Sequence, residues 1–343
     1  MRLSRVGELI GRRETSAPGE GEVRRTRGHR SIAFVGRYGT ILGLILLCAV
    51  FGLTVGEYFL TVGNLVNVLN QSAFSAICAL GLTMVLAGGE FDLSIGFNAS
   101  LAGVLIVGFL LAGIPMPIAI LAVVLIGALI GLFNGVLVTQ LRVNALIATL
   151  GTGSLLVGIN YAYSSGIPQA VQSKYPEFLD ISIGRLAGIP HPVFYMAAVL
   201  FLLWIFLGHT VTGQHVQAVG GNVEAARLSG IRVELTKTIT FIIAGACAAL
   251  TGILLASSIG SGQPQAGDTF TLSSFAAAFL GTAVLREGEF NVVGTFIGVV
   301  TVAVGFNGLA LLGVPSFAQY LFQGLILIIA VALSTVARRL SQS

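Results

Sequence analysis

The chain has 343 residues, 55% of them hydrophobic and only 9% charged, with a net charge of +4, whereas a soluble globular domain carries roughly 25% charged residues. Uncharged runs cover residues 93–141 and 290–337, and each must hold more than one membrane span of about 20 residues. A soluble multi-domain protein is excluded, no nucleic-acid partner is expected, and the 45 glycines suit an all-α bundle whose transmembrane helices approach closely.

The first 37 residues contain nine arginines and four glutamates and lack an apolar stretch long enough for a signal-peptide core. They read as a disordered cytoplasmic tail that sets topology, followed by an uncleaved anchor and a single transmembrane domain over 38–343. Breaks at charges, prolines and Gly-Pro turns divide that domain into ten spans. These are 38–57, 64–88, 93–112, 117–139, 144–163, 192–209, 238–258, 270–286, 293–312 and 316–337. The eighth is the shortest, with 17 uncharged residues between Asp268 and Arg286, which suits a short, tilted or re-entrant helix. Ten spans with both termini cytoplasmic put sixteen of the eighteen Lys and Arg residues on the inner side, leaving only Lys174 and Arg185 outside, as the positive-inside rule requires.

Within the spans, Asn67, Asn70, Gln71, Asn98, Asn134 and Asn307 are uncharged polar residues that could face a substrate path or hydrogen-bond between helices. Asn67, Asn70 and Gln71 share a helix face by their i, i+3, i+4 spacing. Amides replace the hydrogen bonds a neutral polyol loses on leaving water, whereas an ion route more often shows intramembrane charge. Gly127, Gly131 and Gly135 form two overlapping GxxxG steps that serve either a dimer seam or packing within the bundle. Cys48, Cys78 and Cys247 show no paired spacing, the four histidines lack the i, i+4 arrangement of a helical zinc site, and no metal is expected.

"GGEFDLS" around Glu90 and Asp92 and "EGEFNVV" around Glu289 and Asn291 repeat one Gly-Glu-Phe phrase, both times at a turn expected on the cytoplasmic side. There Glu90 stays hydrated, Asp92 is suited to cap the third span by accepting from the N–H of Ser94 or Ile95, and Asn291 to cap the ninth. An inner-gate role for these three is the alternative.

The loop 210–237 contains "AVGGNVEAARLSGI", where good helix formers precede Gly230 as a helix stop. A short helix is expected, with Glu224 and Arg227 on one face and Ala225 and Ala226 permitting a partner's close approach. Glu224, Ala225, Ala226 and Gly230 match the EAA-x3-G element of bacterial ABC importer permeases. The loop as a whole resembles that of the ribose-type sugar permease family, as do the C-terminal "NGLALLGVPSFAQYLFQGLILIIAV" and "GGEFDLSIG" at 88–96, which is similar to that family's GG-x-DLS-x-G element but has two residues between GG and DLS. The I-x-L-P continuation of the general importer motif is absent, which separates the chain from the maltose-type branch.

The resemblance implies a subunit of the bacterial inner membrane that forms a sugar path without being an enzyme itself. Its partners would be a second permease subunit, a cytoplasmic ABC ATPase that binds ATP and Mg, and a periplasmic or lipid-anchored solute-binding protein. The expected coupling residues are Glu224, Ala225, Ala226, Arg227 and Gly230, and no cofactor is expected in this chain, since neither Lys174 nor Lys237 follows a glycine as a P-loop needs. The alternative class is an ion-coupled secondary transporter, with Glu90 and Asp92 as coupling acids.

Overall fold

The computed structural model describes residues 38–171, 174–284 and 288–341. The arginine-rich tail and Arg286 lie outside them. Among the described residues, ten apolar helices form the bundle: α1 (Tyr38–Thr54), α2 (Val62–Ala87), α3 (Ile95–Leu111), α4 (Met116–Thr139), α5 (Ala145–Ser164), α7 (His191–His209), α10 (Val233–Ile259), α11 (Thr269–Gly281), α12 (Val292–Leu311) and α13 (Phe317–Ser341). Six are long and apolar enough to cross a membrane by length and composition, and α1, α3, α11 and the apolar part of α13 are shorter. Each corresponds to one expected span. α6 (Pro176–Ile183), α8 (Val211–Gly221) and α9 (Val223–Leu228) lie in the connections.

The boundaries have local causes. α3 ends at Leu111 and α4 starts at Met116, with Pro115 as its N-cap. Asn144, Thr210, Asn222 and Asn291 cap α5, α8, α9 and α12 by accepting backbone N–H groups through their side chains, each worth about 1 kcal/mol.

α10 is the central post, packed against α2, α3 and α4. α2 and α10 are largely buried, whereas α4 and α7 turn leucines and aromatics such as Leu121, Leu125, Phe201 and Trp204 outward, as a lipid-facing helix does. The GxxxG steps of α4 serve the bundle's own packing. A Cβ at Gly127 would lie 2.6 Å from the Gly245 carbonyl, and one at Gly131 2.1 Å from that of Phe241, so only glycine permits this α4–α10 approach.

α11 is short because the chain has re-entered the bundle before it begins. From the end of α10, residues 260–268 fold back along α3, with Gly262 against the Gly103 carbonyl and Gly267 against that of Gly96. The Ser100 hydroxyl donates to Asp268 Oδ1 (2.7 Å) and accepts from the Gly267 N–H (2.9 Å), while the Gly96 N–H donates to Thr271 Oγ1 (3.2 Å). The N-terminal ends of α3 and α11 therefore meet inside the bundle, and every non-helical polar group there needs such a partner. A two-residue antiparallel ladder between β1 (Gln169–Ala170) and β4 (Ser261–Gly262) ties the α5–α6 connection to this segment, and β2 (Arg185–Leu186) pairs with β3 (Ile189–Pro190).

Candidate functional site

Two regions bring the candidate residues together, and α2 runs through both. At one end of the bundle α7 leads through Thr210 into α8 and α9. The Gly213 N–H donates to Thr210 Oγ1 (3.0 Å), and Gln217 Nε2 donates to the Leu207 carbonyl (2.7 Å), folding α8 back on α7. A Gly-Gly pair in isolation favours a turn, and no local signal marks Gly220 and Gly221 as helical. They instead form the last turn of α8, and Gly220 presses on the C-terminal end of α2. A Cβ there would lie 1.9 Å from the Ala87 carbonyl oxygen.

α9 is the expected short helix. Asn222 Oδ1 accepts from the Ala225 N–H (3.0 Å), and Gly230 ends the turn with a φ of 82° that favours glycine. Glu224, Ala225, Arg227 and Leu228 are exposed, and Leu228 is 90% so. Ala226 faces the other way, buried with Val219 and Val233, so it anchors α9 to its own chain and is not free for a partner's close approach. Arg227 bridges Glu224 (3.4 Å) and Glu234 at the start of α10 (3.0 Å), fixing the helix on the post below it.

The two Gly-Glu-Phe turns converge beside α8. A cavity of about 340 Å³ is lined by Gly89, Glu90 and Phe91 of the first, Gly288, Glu289 and Phe290 of the second, and Gln217, Gly220 and Gly221 of α8. Glu90 is not simply hydrated: Lys237 Nζ of α10 donates to it at 2.6 Å, and both side chains are mostly buried. Asp92 accepts from the Ser94 N–H (2.9 Å) and hydroxyl (2.6 Å) as expected, but the N-cap position of α3 belongs to Ser94, two residues after Asp92. Asn291 caps α12 through the Gly294 N–H (2.6 Å) and donates to the Val284 carbonyl (3.1 Å).

A second cavity, of about 270 Å³, lies between α2, α11, α12 and α13. Its polar lining comprises Gln71 and Ser75 of α2, Thr269 and Ser273 of α11, Ser316, and Gln319, Tyr320 and Gln323 of α13. Phe270 and Phe306 supply apolar walls, and among the described residues no Asp, Glu, Lys, Arg or His lines it. Gln323 Nε2 donates to Ser273 Oγ (2.9 Å) across the α11–α13 gap. Of the six pathway candidates, Gln71 alone lines this cavity. Asn67 is exposed on the same helix and Asn70 is half-buried.

The remaining amides hold helices together. Asn98 Nδ2 donates to the carbonyls of Gly127 and Gly245 (both 3.3 Å) at the α3–α4–α10 seam, Asn134 Nδ2 to Ser94 Oγ (2.8 Å), and Asn307 exchanges two bonds with Asn64 (2.8 and 2.9 Å). Ser75, Ser273, Tyr320 and Gln323 were missed as lining residues. The i, i+4 pairs Gln71/Ser75 and Gln319/Gln323 were a readable signal, but Ser273 becomes polar lining only because α11 begins inside the bundle.

Residues 64–331 match the family model described as branched-chain amino acid transport system / permease component. The ribose import permease protein of Escherichia coli (strain K12) is 36% identical over 296 residues, covering 85% of this chain and 91% of that one. The D-allose transport system permease protein of the same organism is 32% identical over 301 residues, 88% and 92% of the two chains. The L-arabinose ABC transporter permease protein of Azospirillum brasilense is 33% identical over 297 residues, 87% of each. With a polytopic helical bundle, an EAA-type helix on its end and relatives matched along nearly their whole length, the chain belongs to the family of membrane-embedded permease components of ABC importers.

Proposed function

We propose that this chain forms half of the path through which an ABC importer moves a neutral monosaccharide or similar polyol, with the α9 end facing the cytoplasm. The relatives named for ribose, D-allose and L-arabinose support that substrate class, and so does the lining of the cavity between α2, α11 and α13. Amide and hydroxyl groups there can exchange hydrogen bonds with sugar hydroxyls, and Tyr320, Phe270 and Phe306 offer faces to C–H groups. A branched-chain amino acid, the cargo in the family model's description, is a zwitterion. Its ammonium and carboxylate would meet no opposite charge among the described residues that line the cavity, which costs several kcal/mol per desolvated ion.

The observation that carries this reading is the continuity of α2. Its middle supplies Gln71 and Ser75 to the uncharged cavity and its end receives α8 at Gly220, so a force on α9 reaches the path through one rigid element. Glu224, Ala225, Arg227, Leu228 and Gly230 form the surface that a separate ATPase engages. ATP and Mg belong to that ATPase, a second permease subunit completes the path, and a solute-binding protein loads it from the other side.

ATP-dependent uptake by the reconstituted importer, measured across a panel of neutral sugars and branched-chain amino acids, tests the substrate class. Uptake confined to neutral sugars or polyols is expected; uptake of leucine or valine in preference to every sugar contradicts the reading.

A further inference from the structure

We propose that Phe91 and Phe290, the phenylalanines of the two Gly-Glu-Phe turns, form with Phe275 and Phe279 of α11 the hydrophobic seal that separates the two cavities. The inference rests on the second cavity being part of the solute path, as proposed above. The two turns lie nearly two hundred residues apart, yet each lays its ring on the same helix. Phe91 stacks on Phe275 with ring centroids 6.2 Å apart and planes inclined by 22°, and Phe290 meets Phe279 edge-on at 5.2 Å and 74°. Phe275 and Phe279 are i, i+4 neighbours, so both pairs occupy one stripe of α11.

Along α11 that stripe follows the turns that line the polar cavity and precedes the end of the helix that meets the Gly-Glu-Phe turns. The first turns of α11 give Thr269, Phe270 and Ser273 to the polar cavity, while Phe91 and Phe290 line the cavity at the α8 end. Phe275 is buried and Phe91 is 37% exposed, so the outer ring reaches the cavity while the inner one backs it. A constriction of phenyl rings sheds water, and a hydrated polyol entering it exchanges hydrogen bonds for none. The seal is also tied to the coupling end. Lys237 holds Glu90 beside Phe91, Gly220 of α8 lies over Gly89, and Asn291 beside Phe290 caps α12. A displacement of α8 therefore moves the turn that carries Phe91 and opens the constriction.

The test uses the complete importer in proteoliposomes loaded with radiolabelled xylitol, a small neutral polyol whose leakage does not depend on which sugar is transported. Without ATP, vesicles carrying the Phe91→Ala/Phe290→Ala protein are expected to lose xylitol at least tenfold faster than those carrying wild type, and Phe91→Leu, which keeps apolar bulk, to remain tight. If the double variant does not assemble, Phe91→Ala alone carries the measurement, with a rise of several-fold expected. Alanine variants that assemble, keep binding-protein-stimulated ATPase activity and remain as tight as wild type overturn the seal. A wild-type importer that takes up no neutral sugar would count against the substrate reading, whereas normal uptake with tight alanine variants counts against the seal alone.

Discussion

Gly220 is the contact on which mechanical continuity between α8 and α2 depends, and replacing it by alanine is the sharpest perturbation of that link. The new Cβ would sit 1.9 Å from the Ala87 carbonyl oxygen and 2.9 Å from its carbon. Both belong to backbone at the end of a buried helix, so neither can rotate away. Restoring ordinary van der Waals contact requires α8 and the end of α2 to separate by about 1.5 Å, and overpacking of this kind costs about 1–3 kcal/mol. Spread over an equilibrium between engaged and disengaged α8, that is a shift of about 5–150-fold. Solute molecules transported per ATP hydrolysed are therefore expected to fall at least about fivefold in Gly220→Ala. The neighbouring Gly221 has nothing within 4 Å of its Cβ position, and Gly221→Ala is expected to match wild type or gain up to about 1 kcal/mol of helix stability. Coupled uptake and ATP hydrolysis in proteoliposomes read both. Equal behaviour of the two variants, whether both normal or both impaired, would refute the reasoning.

Glu224→Ala and Gly230→Pro are expected to insert normally but uncouple hydrolysis from uptake, because the first removes an exposed acid from α9 and the second places proline, fixed near −65°, where φ is 82°; wild-type uptake with normal ATPase association in both would contradict the role assigned to α9. Lys237→Met leaves Glu90 in a mostly buried position without its 2.6 Å partner, at a cost of about 1–3 kcal/mol. Thermal denaturation in detergent should show the loss, and a Glu90→Gln/Lys237→Met double variant should recover part of it; a double-mutant cycle without coupling would show the pair to be inert. Asp92→Asn keeps an oxygen that accepts from the Ser94 N–H, so transport near the wild-type rate is expected from a turn-forming role, and loss of transport with normal assembly would show that the charge itself is needed.

Where a structural cause lies within a few residues, it was legible in the sequence. The breaks at Pro115 and Pro315, the cap at Asn291, the stop at Gly230 and the separation into ten spans all follow from local chemistry. The helical α8 did not, because its end is held by packing of Gly220 on Ala87, 133 residues earlier, and a Gly-Gly pair in isolation reads as a turn. The meeting of α3 and α11 depends on Ser100 bonding to Gly267 and Asp268, partners no local pattern connects. Asn98 and Asn307 show the limit for polar residues in spans: the same amide that suits a sugar path also satisfies backbone carbonyls or another amide between helices, and spacing alone does not choose. The Gly-Glu-Phe repetition was visible, but its meaning came from the convergence of both turns on α11.

The central claim, that this chain forms half of the path of an ATP-driven importer, is tested most directly by uptake of a neutral sugar into proteoliposomes containing the permease subunits, their ATPase and their binding protein. Uptake that requires all three components and ATP hydrolysis, and that persists when ionophores abolish the ion gradients, is the predicted result. Uptake that continues without the ATPase and collapses with the ion gradient would contradict it and make the chain an ion-coupled carrier.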